Sequence, residues 1–454
     1  MPPARADVLR AVAVVLLASL AACKGAPDDR PSFLLVTFDT TRFDHTSLAG
    51  YPRDTTPHLA KLAAEGASFS TAYAPTSTTG PSHASLFTGV TPLRHGVLKN
   101  GAPVPYTADT MAERFAAAGY RTAGFVSSFV ISRRFAFDQG FATYDDVFDR
   151  ATSTFAEKFW DGKELEGGFD RRADETTRRA VAWLDANADR GPFFLFVHYF
   201  DPHAPYVPPA AFENRFPVPA GADALARDVA RYDEEIAFTD AALGELLAAL
   251  ERLKQQQRTL VVVTADHGEG LMDHGHMEHG VSVYEEQVRV PLVLRWPARV
   301  APGRTFDVPV SLVDVAPTAY ELLGLATRDA KFEGRSLAPA LAGGPAPEPV
   351  PVYLYRRHFA GEQRAETWVI GEKFGVREGR FKYVDGPEEK TRELFDLAAD
   401  PKELVNRLAE APQATEALAD RVEGWRAGRI GPGGGKLDIT PEERERLRVL
   451  GYTE

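Results

Sequence analysis

The sequence has one cysteine among its 454 residues, fewer basic than acidic side chains, and little apolar sequence that is continuous enough to cross a membrane. A lone cysteine excludes a disulfide bond within the chain, so the fold must depend on its apolar core and on any bound metal. The formal net charge of −12 argues against a nucleic-acid partner, since phosphate backbones repel an acidic surface. With 44% hydrophobic and 26% charged residues, the composition is that of a globular chain with a sizeable core.

The N-terminal residues have the pattern of a targeting segment. Arg5 and Arg10 precede the apolar stretch AVAVVLLASLAAC, which is short for a bilayer span and ends at Cys23. Because LAAC is similar to a bacterial lipobox, we expect a lipoprotein signal peptide over 1–22, lipidation at Cys23 and a tether over 23–31. The alternative is a plain secretory signal with an incidental cysteine. The protein is then expected to be exported and lipid-anchored in the bacterial cell envelope, at the periplasmic or the outer surface.

Three apolar runs predict buried strands of a mostly parallel sheet. SFLLVTFD ends at Asp39, PFFLFVHYFD ends at Asp201, and TLVVVTADHG contains Asp266 and His267. Continuous apolar runs are typical of strands that are covered on both faces. Amphipathic periodicity predicts the covering helices in four stretches, 56–66, 108–120, 174–189 and 232–254. This alternation indicates an α/β fold with a doubly wound, mostly parallel sheet flanked by helices.

A Gly- and Pro-rich stretch at 341–355, LAGGPAPEPVPVYLY, is typical of a connection between two parts of a chain. We therefore predict a main domain over 32–345 and a smaller C-terminal α+β subdomain over 346–454. The subdomain has strand-like pieces in WVIGEK, FGVREGRFKYV and RELFDL. A helix near 408–426 and a last helix in TPEERERLRVLGY follow them.

Acidic and imidazole side chains occur where the apolar runs end, at the edge where open α/β sheets hold their ligands. Asp39, Asp266 and His267 would be held rigidly there. Carboxylate and imidazole ligands suit one divalent metal, with Zn or Mn favoured and Ca or Mg as alternatives. Taken singly, Asp39 could cap a helix and His267 could belong to a turn. The adjoining DHGEGLMDHGHMEHG could likewise be a solvated loop, but the concentration of histidines near these strand ends favours a site.

The polar stretch TSTTGPSHASLFTG allows two interpretations. In the first, Ser82 or Thr79 caps a helix, Pro81 lies in its first turn, and residues 84–87 are buried. In the second, Thr79 is a nucleophile, since contact with a metal lowers the pKa of a hydroxyl by several units.

Several blocks follow one another between about residues 32 and 400: TFDTTRFDH, VHYFDPHAPY, TADHGE, VPLVLRWP, VSLVDVAPTAYELLG, EGRSLAPAL and ELFDLAADPKE. Their identity and order resemble the sulfatases of the alkaline phosphatase superfamily. The resemblance implies the fold of that family, makes 32–345 the catalytic domain, and implies a hydrolase of sulfuric or phosphoric esters.

The same resemblance assigns the nucleophile to Thr79, two residues before Pro81, and the metal ligands to Asp39, Thr79, Asp266 and His267. Sulfatases have a Cys or Ser at the nucleophile position, which is converted to formylglycine. A Thr resembles instead the nucleophiles of phosphodiesterases and phosphoethanolamine transferases of the superfamily. We therefore expect no formylglycine in this chain.

Cationic positions of the family are replaced in this sequence. His83 stands for an Arg and His279 for a Lys, and Thr40 stands for the second acidic residue of the opening block. We expect His83, His203, His279 and Asn100 to stabilise charge on the substrate oxygens. His203 or His279 would protonate the leaving group.

A second metal would be another source of positive charge, with Asp201, His203 and His279 as its ligands. In the competing interpretation, Asp201 only caps a turn and both histidines bond the substrate beside a single metal. Three further residues after the first strand are expected to support the site from behind: Arg42, Asp44 and His45.

The sequence thus predicts a metal-dependent hydrolase that cleaves sulfate, phosphate or phosphonate esters through a covalent Thr79 intermediate. Its substrate would be a small molecule, or a glycan or lipid ester. One alternative is a transferase that moves a phospho-group onto an envelope glycan or lipid. The other is a catalytically inactive binding lipoprotein. The natural substrate and the oligomeric state do not follow from the sequence.

Overall fold

The computed structural model describes residues 28–149, 153–154, 159–160, 163–164, 168–327, 329–364, 367–429 and 440–441. The expected signal peptide, Cys23 and nearly all of the helix expected in TPEERERLRVLGY lie outside the described residues. In the described part of the chain, no helix combines the length and the apolar character that a membrane crossing requires.

The strands of the described residues form two main sheets and one small pair. They are β1 (Ser32–Phe38), β2 (Ala67–Tyr73), β3 (Arg121–Phe125), β4 (Thr143–Asp145), β5 (Phe159–Trp160), β6 (Lys163–Glu164), β7 (Phe193–Tyr199), β8 (Thr259–Ala265), β9 (Arg289–Arg295), β10 (Arg304–Phe306), β11 (Val310–Ser311), β12 (Val352–Arg364), β13 (Thr367–Glu378), β14 (Phe381–Gly386) and β15 (Thr391–Asp396). The large sheet has the order β10-β2-β9-β8-β1-β7-β3-β4, with β11 paired to β2. The C-terminal sheet has the order β12-β13-β14-β15 and is antiparallel throughout.

Helices pack against these sheets. They are α1 (Pro57–Ala64), α2 (Thr79–Thr88), α3 (Pro92–His95), α4 (Met111–Ala117), α5 (Ala173–Asn187), α6 (Ala224–Arg252), α7 (Glu285–Val288), α8 (Val315–Leu323), α9 (Ala338–Leu341) and α10 (Pro412–Ala427). Five 3-10 turns also occur: Phe43–His45, Ser47–Ala49, Phe129–Ile131, Arg133–Phe135 and Leu312–Asp314.

The three apolar runs are the three central strands, as predicted. β1 pairs in parallel with β7 on one side and with β8 on the other, so that Phe38 lies opposite both Tyr199 and Ala265. Every residue of these strands is buried, which is why their sequences do not alternate between apolar and polar. Because the strands are parallel and in this register, the residues that follow them come out at one edge of the sheet. The mostly parallel sheet with helices on its faces confirms the predicted fold class.

Several predicted boundaries need correction. Helix α6 begins at Ala224, eight residues before the predicted start, because Asp223 caps it by accepting a hydrogen bond of 2.8 Å from the Ala226 N–H. The predicted connection at 341–355 already contains the start of β12. WVIGEK and the first half of FGVREGRFKYV form one continuous strand, β13. The two sheets meet where the Tyr355 N–H donates to the carbonyl of Pro75, 2.8 Å away.

Candidate active site

Two carboxylates and one imidazole converge where the central strands end. Asp39 follows β1, whereas Asp266 and His267 follow β8, and all three side chains are fully buried. One ligand atom from each lies within 4.8 Å of the others. The Nε2 atom of His267 is 3.7 Å from Asp39 Oδ1 and 3.4 Å from Asp266 Oδ2. The sequence prediction grouped these three residues, and the fold brings them into one cluster.

The protonation of His267 suits a metal ligand. Its Nδ1 is 2.9 Å from the carbonyl of Gly268, which can only accept, so Nδ1 carries the proton and donates. Nε2 therefore presents a lone pair to the two carboxylates. Burial lowers the pKa of His267 well below its ordinary value, and the neighbouring His279 adds to this effect, so the ring stays neutral.

Three carboxylate oxygens of this cluster lack hydrogen-bond partners. In the part of the chain that the structure describes, nothing bonds either oxygen of Asp39 or Oδ2 of Asp266, although all three are buried. Burial raises the pKa of both groups, because it disfavours the ionised form. The Glu269 carboxylate adds to the rise in the pKa of Asp39, and the Asp39 carboxylate adds to the rise in that of Asp266. Buried carboxylates are normally paired or coordinate metals. A divalent cation bound by Asp39, Asp266 and His267 would satisfy these atoms, so the residues present fit such an ion.

A tight turn after β1 helps to hold Asp266. Its Oδ1 accepts hydrogen bonds from two backbone N–H groups, that of Thr40 at 3.2 Å and that of His267 at 2.9 Å. Thr40 has a φ of 49°, in the left-handed region that β-branched residues avoid. With Oδ1 held by the backbone, the unpartnered Oδ2 is the oxygen left for the cluster.

Thr79 is the first residue of helix α2, and its hydroxyl reaches the same cluster. Thr79 Oγ1 lies 3.1 Å from His267 Nε2, and the side chain is fully buried. The helix is capped by Thr78, without a side-chain hydrogen bond, so neither Ser82 nor Thr79 is the N-cap. The partial positive charge of a helix N-terminus also favours an anion at this position.

Asn100 holds the first turn of α2. Its Oδ1 accepts a hydrogen bond of 2.6 Å from the Gly80 N–H. A Cβ atom at position 80 would lie 2.9 Å from that oxygen, so the close approach favours glycine. The Nδ2 of Asn100 is buried and has no hydrogen-bond partner among the described residues. The predicted contact of this amide with a substrate stays a prediction.

The contacts of His83 favour a supporting role, and its predicted contact with substrate stays a prediction. Its Nδ1 donates to the carbonyl of Thr79 at 2.9 Å, and its Nε2 accepts from the Thr37 hydroxyl at 3.0 Å. Both ring nitrogens are therefore engaged inside the protein, and burial lowers the pKa of the ring well below its ordinary value. A neutral ring with both nitrogens occupied supports the backbone of the nucleophile and has no group left to offer to substrate oxygens.

Two further histidines of the prediction stand beside the cluster. The ring of His279 stacks on that of His267 at 4.5 Å, and His203 meets His279 edge-on at 4.9 Å. His203 Nδ1 donates to the carbonyl of Ala204 at 2.6 Å. Burial lowers the pKa of His203 well below its ordinary value. Burial acts in the same direction on His279, but the Glu269 carboxylate raises the pKa of that ring above its ordinary value.

Asp201 bonds the N-terminus of helix α5 from another part of the chain. Its Oδ2 accepts a hydrogen bond of 2.8 Å from the N–H of Ala173, the first residue of α5, and Arg172 Nε lies 3.6 Å from Oδ1. Among the described residues, the groups that could hold a metal are Asp39, Asp266 and His267, and the overlapping set His83, His198 and Asp266. Neither contains Asp201, His203 or His279. The second metal stays a prediction, and so does the alternative in which Asp201 caps its own turn.

Two residues of the site were not assigned from the sequence. His198, in β7, lies with its Nε2 3.2 Å from Asp39 Oδ2, and Glu269 is fully buried with its Oε1 3.2 Å from His279 Nδ1. His198 lies within the apolar run PFFLFVHYFD, and an imidazole inside a predicted buried strand was a usable signal. Nothing local distinguishes Glu269 from an exposed loop residue.

The predicted supporting residues lie behind the cluster. Arg42 forms ion pairs of 2.7 Å with Asp44 and 2.6 Å with Asp273. His45 Nδ1 lies 2.7 Å from Asp233 Oδ1. These contacts join the first strand end to helix α6 and to the His-rich segment after β8.

The fold is of the α/β class, and the family that the sequence matches consists of hydrolases of ester bonds. The family model described as Sulfatase matches residues 31–325, and the chain belongs to this family. A second model, N-sulphoglucosamine sulphohydrolase, C-terminal, matches residues 272–425. Sulfatases act on sulfate esters, and a divalent metal is the general rule of the family.

Two curated relatives illustrate the similarity. Human arylsulfatase A is 27% identical over 468 residues, an alignment that covers 89% of this chain and 88% of that protein. Mouse arylsulfatase K is 34% identical over 194 residues, which cover 41% of this chain and only 33% of the relative.

Two solved structures share the fold. Phosphonate monoester hydrolase of Agrobacterium radiobacter has a TM-score of 0.73 at 22% identity and covers 91% of this chain and 99% of its own. A protein solved in complex with its substrate D-glucosamine-2-N,6-O-disulfate has a TM-score of 0.72 at 23% identity and covers 88% and 98%. At these identities the likeness concerns the fold alone.

Proposed function

We propose that the protein hydrolyses sulfate, phosphate or phosphonate esters through a covalent intermediate on Thr79. The observation that supports this most directly is the 3.1 Å separation between Thr79 Oγ1 and His267 Nε2. It lies in a buried cluster in which three carboxylate oxygens have no hydrogen-bond partner among the described residues. A divalent metal held by Asp39, Asp266, His267 and Thr79 would supply charge neutralisation and a lowered hydroxyl pKa. The family membership supports the ester class.

The chain's own residues divide the remaining work. The Thr79 hydroxyl loses its proton to solvent, and its oxygen bonds to sulfur or phosphorus as the ester oxygen leaves. Of the two predicted acids, His279 suits the role, since Glu269 raises its pKa, and its proton goes to the leaving oxygen. The proton of His203 is donated to the Ala204 carbonyl instead.

Water then attacks the same sulfur or phosphorus, gives its proton to His279 and releases the Thr79 hydroxyl. The ring of His83 and the amide of Asn100 keep the first turn of α2 in place during both steps. An acceptor alcohol in place of water would make the enzyme a transferase.

The test is Thr79→Ala, with Thr88→Ala as its matched control. Thr88 lies on the same helix and donates its hydroxyl to the Ala84 carbonyl, outside the cluster. Both variants and the wild type are assayed with aryl sulfate, phosphate monoester, phosphate diester and phosphonate substrates, each with Zn, Mn, Mg and Ca. We expect Thr79→Ala to lose activity on the order of a thousandfold or more and Thr88→Ala to stay within about twofold.

A covalent adduct gives an independent readout. With a slow substrate, acid quenching and peptide mass spectrometry should find the modified peptide around Thr79 in the wild type and not in Thr79→Ala. Retained turnover in Thr79→Ala contradicts the nucleophile. No turnover of any substrate, with metal shown to be bound, supports the inactive binding protein instead.

The expected lipid anchor is a separate proposal. It rests on the sequence LAAC alone, and Cys23 lies outside the described residues. Detergent phase partitioning of membranes from cells that express the wild type or Cys23→Ser should place the first in the detergent phase and the second in the aqueous phase. Equal partitioning of the two would contradict lipidation.

A further inference from the structure

The backbone of the turn after β1 is strained at Thr40, and the side chain of Thr40 does not relieve this strain. Thr40 has its φ at 49°, where a β-branched residue is a steric outlier. Asn and Asp reach this region by bonding their side chain locally, but the Thr40 hydroxyl is buried and has no hydrogen-bond partner among the described residues. Contacts from elsewhere must therefore hold the conformation.

A tyrosine hydroxyl from helix α6 holds it. The Tyr232 hydroxyl donates a hydrogen bond of 2.7 Å to the carbonyl of Thr40 and accepts one of 2.9 Å from the N–H of Arg42. One oxygen thus spans the turn and satisfies two backbone groups on opposite sides of it. Tyr232 is fully buried, and burial raises the pKa of its phenol well above the ordinary value, so the donor proton stays in place.

The tyrosine is itself held rigidly. Its ring packs against Tyr206 at 5.5 Å and edge-on against His45 at 5.3 Å. The next residue, Asp233, is fully buried and bonds the side chains of His45, Tyr51 and Arg53. These contacts fix the rotation of helix α6 about its own axis at Tyr232. The Tyr232 hydroxyl is therefore already in position to bond the turn.

The turn matters because it presents one backbone group to the cluster. The Thr40 N–H donates to Asp266 Oδ1, and Asp39 is the residue immediately before Thr40. A change in the dihedral angles of Thr40 therefore moves both carboxylates relative to each other. Groups that orient metal ligands from outside typically change metal affinity by about 10- to 100-fold when they are removed.

We propose that Tyr232 is a positioning residue for the metal centre: its hydroxyl keeps Thr40 in the left-handed conformation that aligns Asp39 and Asp266. The inference rests on the proposed function, since it takes these two carboxylates as metal ligands. By this inference, the long helix α6 both covers the sheet and positions the metal ligands through Tyr232. It also explains how a threonine is tolerated at a position where glycine or asparagine would be less strained.

The primary test is Tyr232→Phe, which removes one oxygen and leaves the ring. Metal-free protein is titrated with Zn²⁺ or Mn²⁺ in a calorimeter, and kcat and KM are measured at saturating metal. We expect the metal dissociation constant to rise about tenfold, kcat to fall about tenfold, and KM to stay within about twofold. Circular dichroism and Tm verify that the fold is intact.

The matched control is Tyr144→Phe. Tyr144 is also buried and also donates its hydroxyl to a backbone carbonyl, that of Ile131 at 2.5 Å, but it lies on β4 at the far edge of the sheet. We expect its metal dissociation constant to stay within about twofold of the wild type. Equal losses in the two variants, or no loss in Tyr232→Phe, overturn the inference.

A second variant tests the route through Thr40. Glycine adopts the left-handed region without a steric cost, so Thr40→Gly should reduce the need for the hydroxyl. We expect the double variant Thr40→Gly with Tyr232→Phe to bind metal more tightly than Tyr232→Phe alone. A double variant that binds no better overturns the route through the turn. If the wild type itself binds no metal, the proposed function is contradicted. If the wild type binds metal and Tyr232→Phe binds it equally well, only the positioning role of Tyr232 is contradicted.

Discussion

Two clusters of buried carboxylates differ in one respect, which is whether a cation of the protein lies between them. At the junction of the two sheets, Lys382 lies 3.0 Å from Glu403 and 3.2 Å from Glu285. The second oxygen of Glu403 accepts the Glu285 N–H at 2.6 Å, and that of Glu285 accepts the Tyr73 hydroxyl at 3.1 Å. Each carboxylate oxygen of that cluster has a donor close by.

The cluster at the strand ends has the opposite character. Among the described residues, no donor bonds either oxygen of Asp39 or Oδ2 of Asp266, and the imidazoles beside them, His198 and His267, have lowered pKa values. Two buried carboxylates without a cation cost stability, and a metal ion would offset that cost. The charges at the junction therefore stabilise the fold by themselves, whereas the carboxylates at the strand ends need a bound metal to balance them.

The largest effects are expected at the incomplete cluster. Asp39→Asn should lower activity on the order of a thousandfold, because it removes a metal ligand. In metal-free protein the same change should raise the free energy of unfolding by about 1 kcal/mol, because an amide is less costly to bury than an unpartnered carboxylate. Urea unfolding of the metal-free variant and wild type measures this. A large loss of stability in the metal-free variant would show that the Asp39 carboxylate stabilises the fold without a metal, as the junction charges do.

The junction cluster should respond in the opposite way. Glu403→Gln leaves Lys382 with one carboxylate and should lower the free energy of unfolding by about 3 kcal/mol. The double variant Lys382→Met with Glu403→Leu removes both charges, and we expect it to be less destabilised than the single variant. The same urea measurement applies. If the single variant were as stable as the wild type, the junction would not be a structural ion cluster.

His83 lies beside the active site, yet both of its ring nitrogens form hydrogen bonds inside the protein. In this respect it resembles the junction cluster. We expect His83→Ala to lower kcat about tenfold and to leave KM within about twofold, since the ring contacts the Thr79 carbonyl. His83→Asn, whose side-chain amide can still donate, should recover part of the loss. A rise in KM with unchanged kcat would instead restore the original prediction of a contact with substrate.

The sequence predicted the central strands and the cluster for the same physical reason. Continuous apolar runs identify buried parallel strands, and parallel strands bring Asp39 and Asp266 to one edge. It did not predict that Tyr232 would span the Thr40 turn, or that Glu269 would bond His279. Those pairs depend on how α6 and the His-rich segment dock, and docking has no local signature. The hydrogen bonds of His83 could not be predicted for a related reason, since a residue type does not tell which way its nitrogens face.

Asp201 is the intermediate case, and the smallest effect is expected there. One oxygen accepts the Ala173 N–H at the start of helix α5, and the other lies 3.6 Å from Arg172 Nε and has no hydrogen bond among the described residues. The amide oxygen of Asn can still accept the Ala173 N–H, so Asp201→Asn should change the free energy of unfolding by about 1 kcal/mol or less. Because Asp201 then belongs with the structural charges, metal content measured by elemental analysis should equal that of the wild type. A loss of one metal equivalent per chain would move Asp201 into the incomplete cluster and establish the second metal.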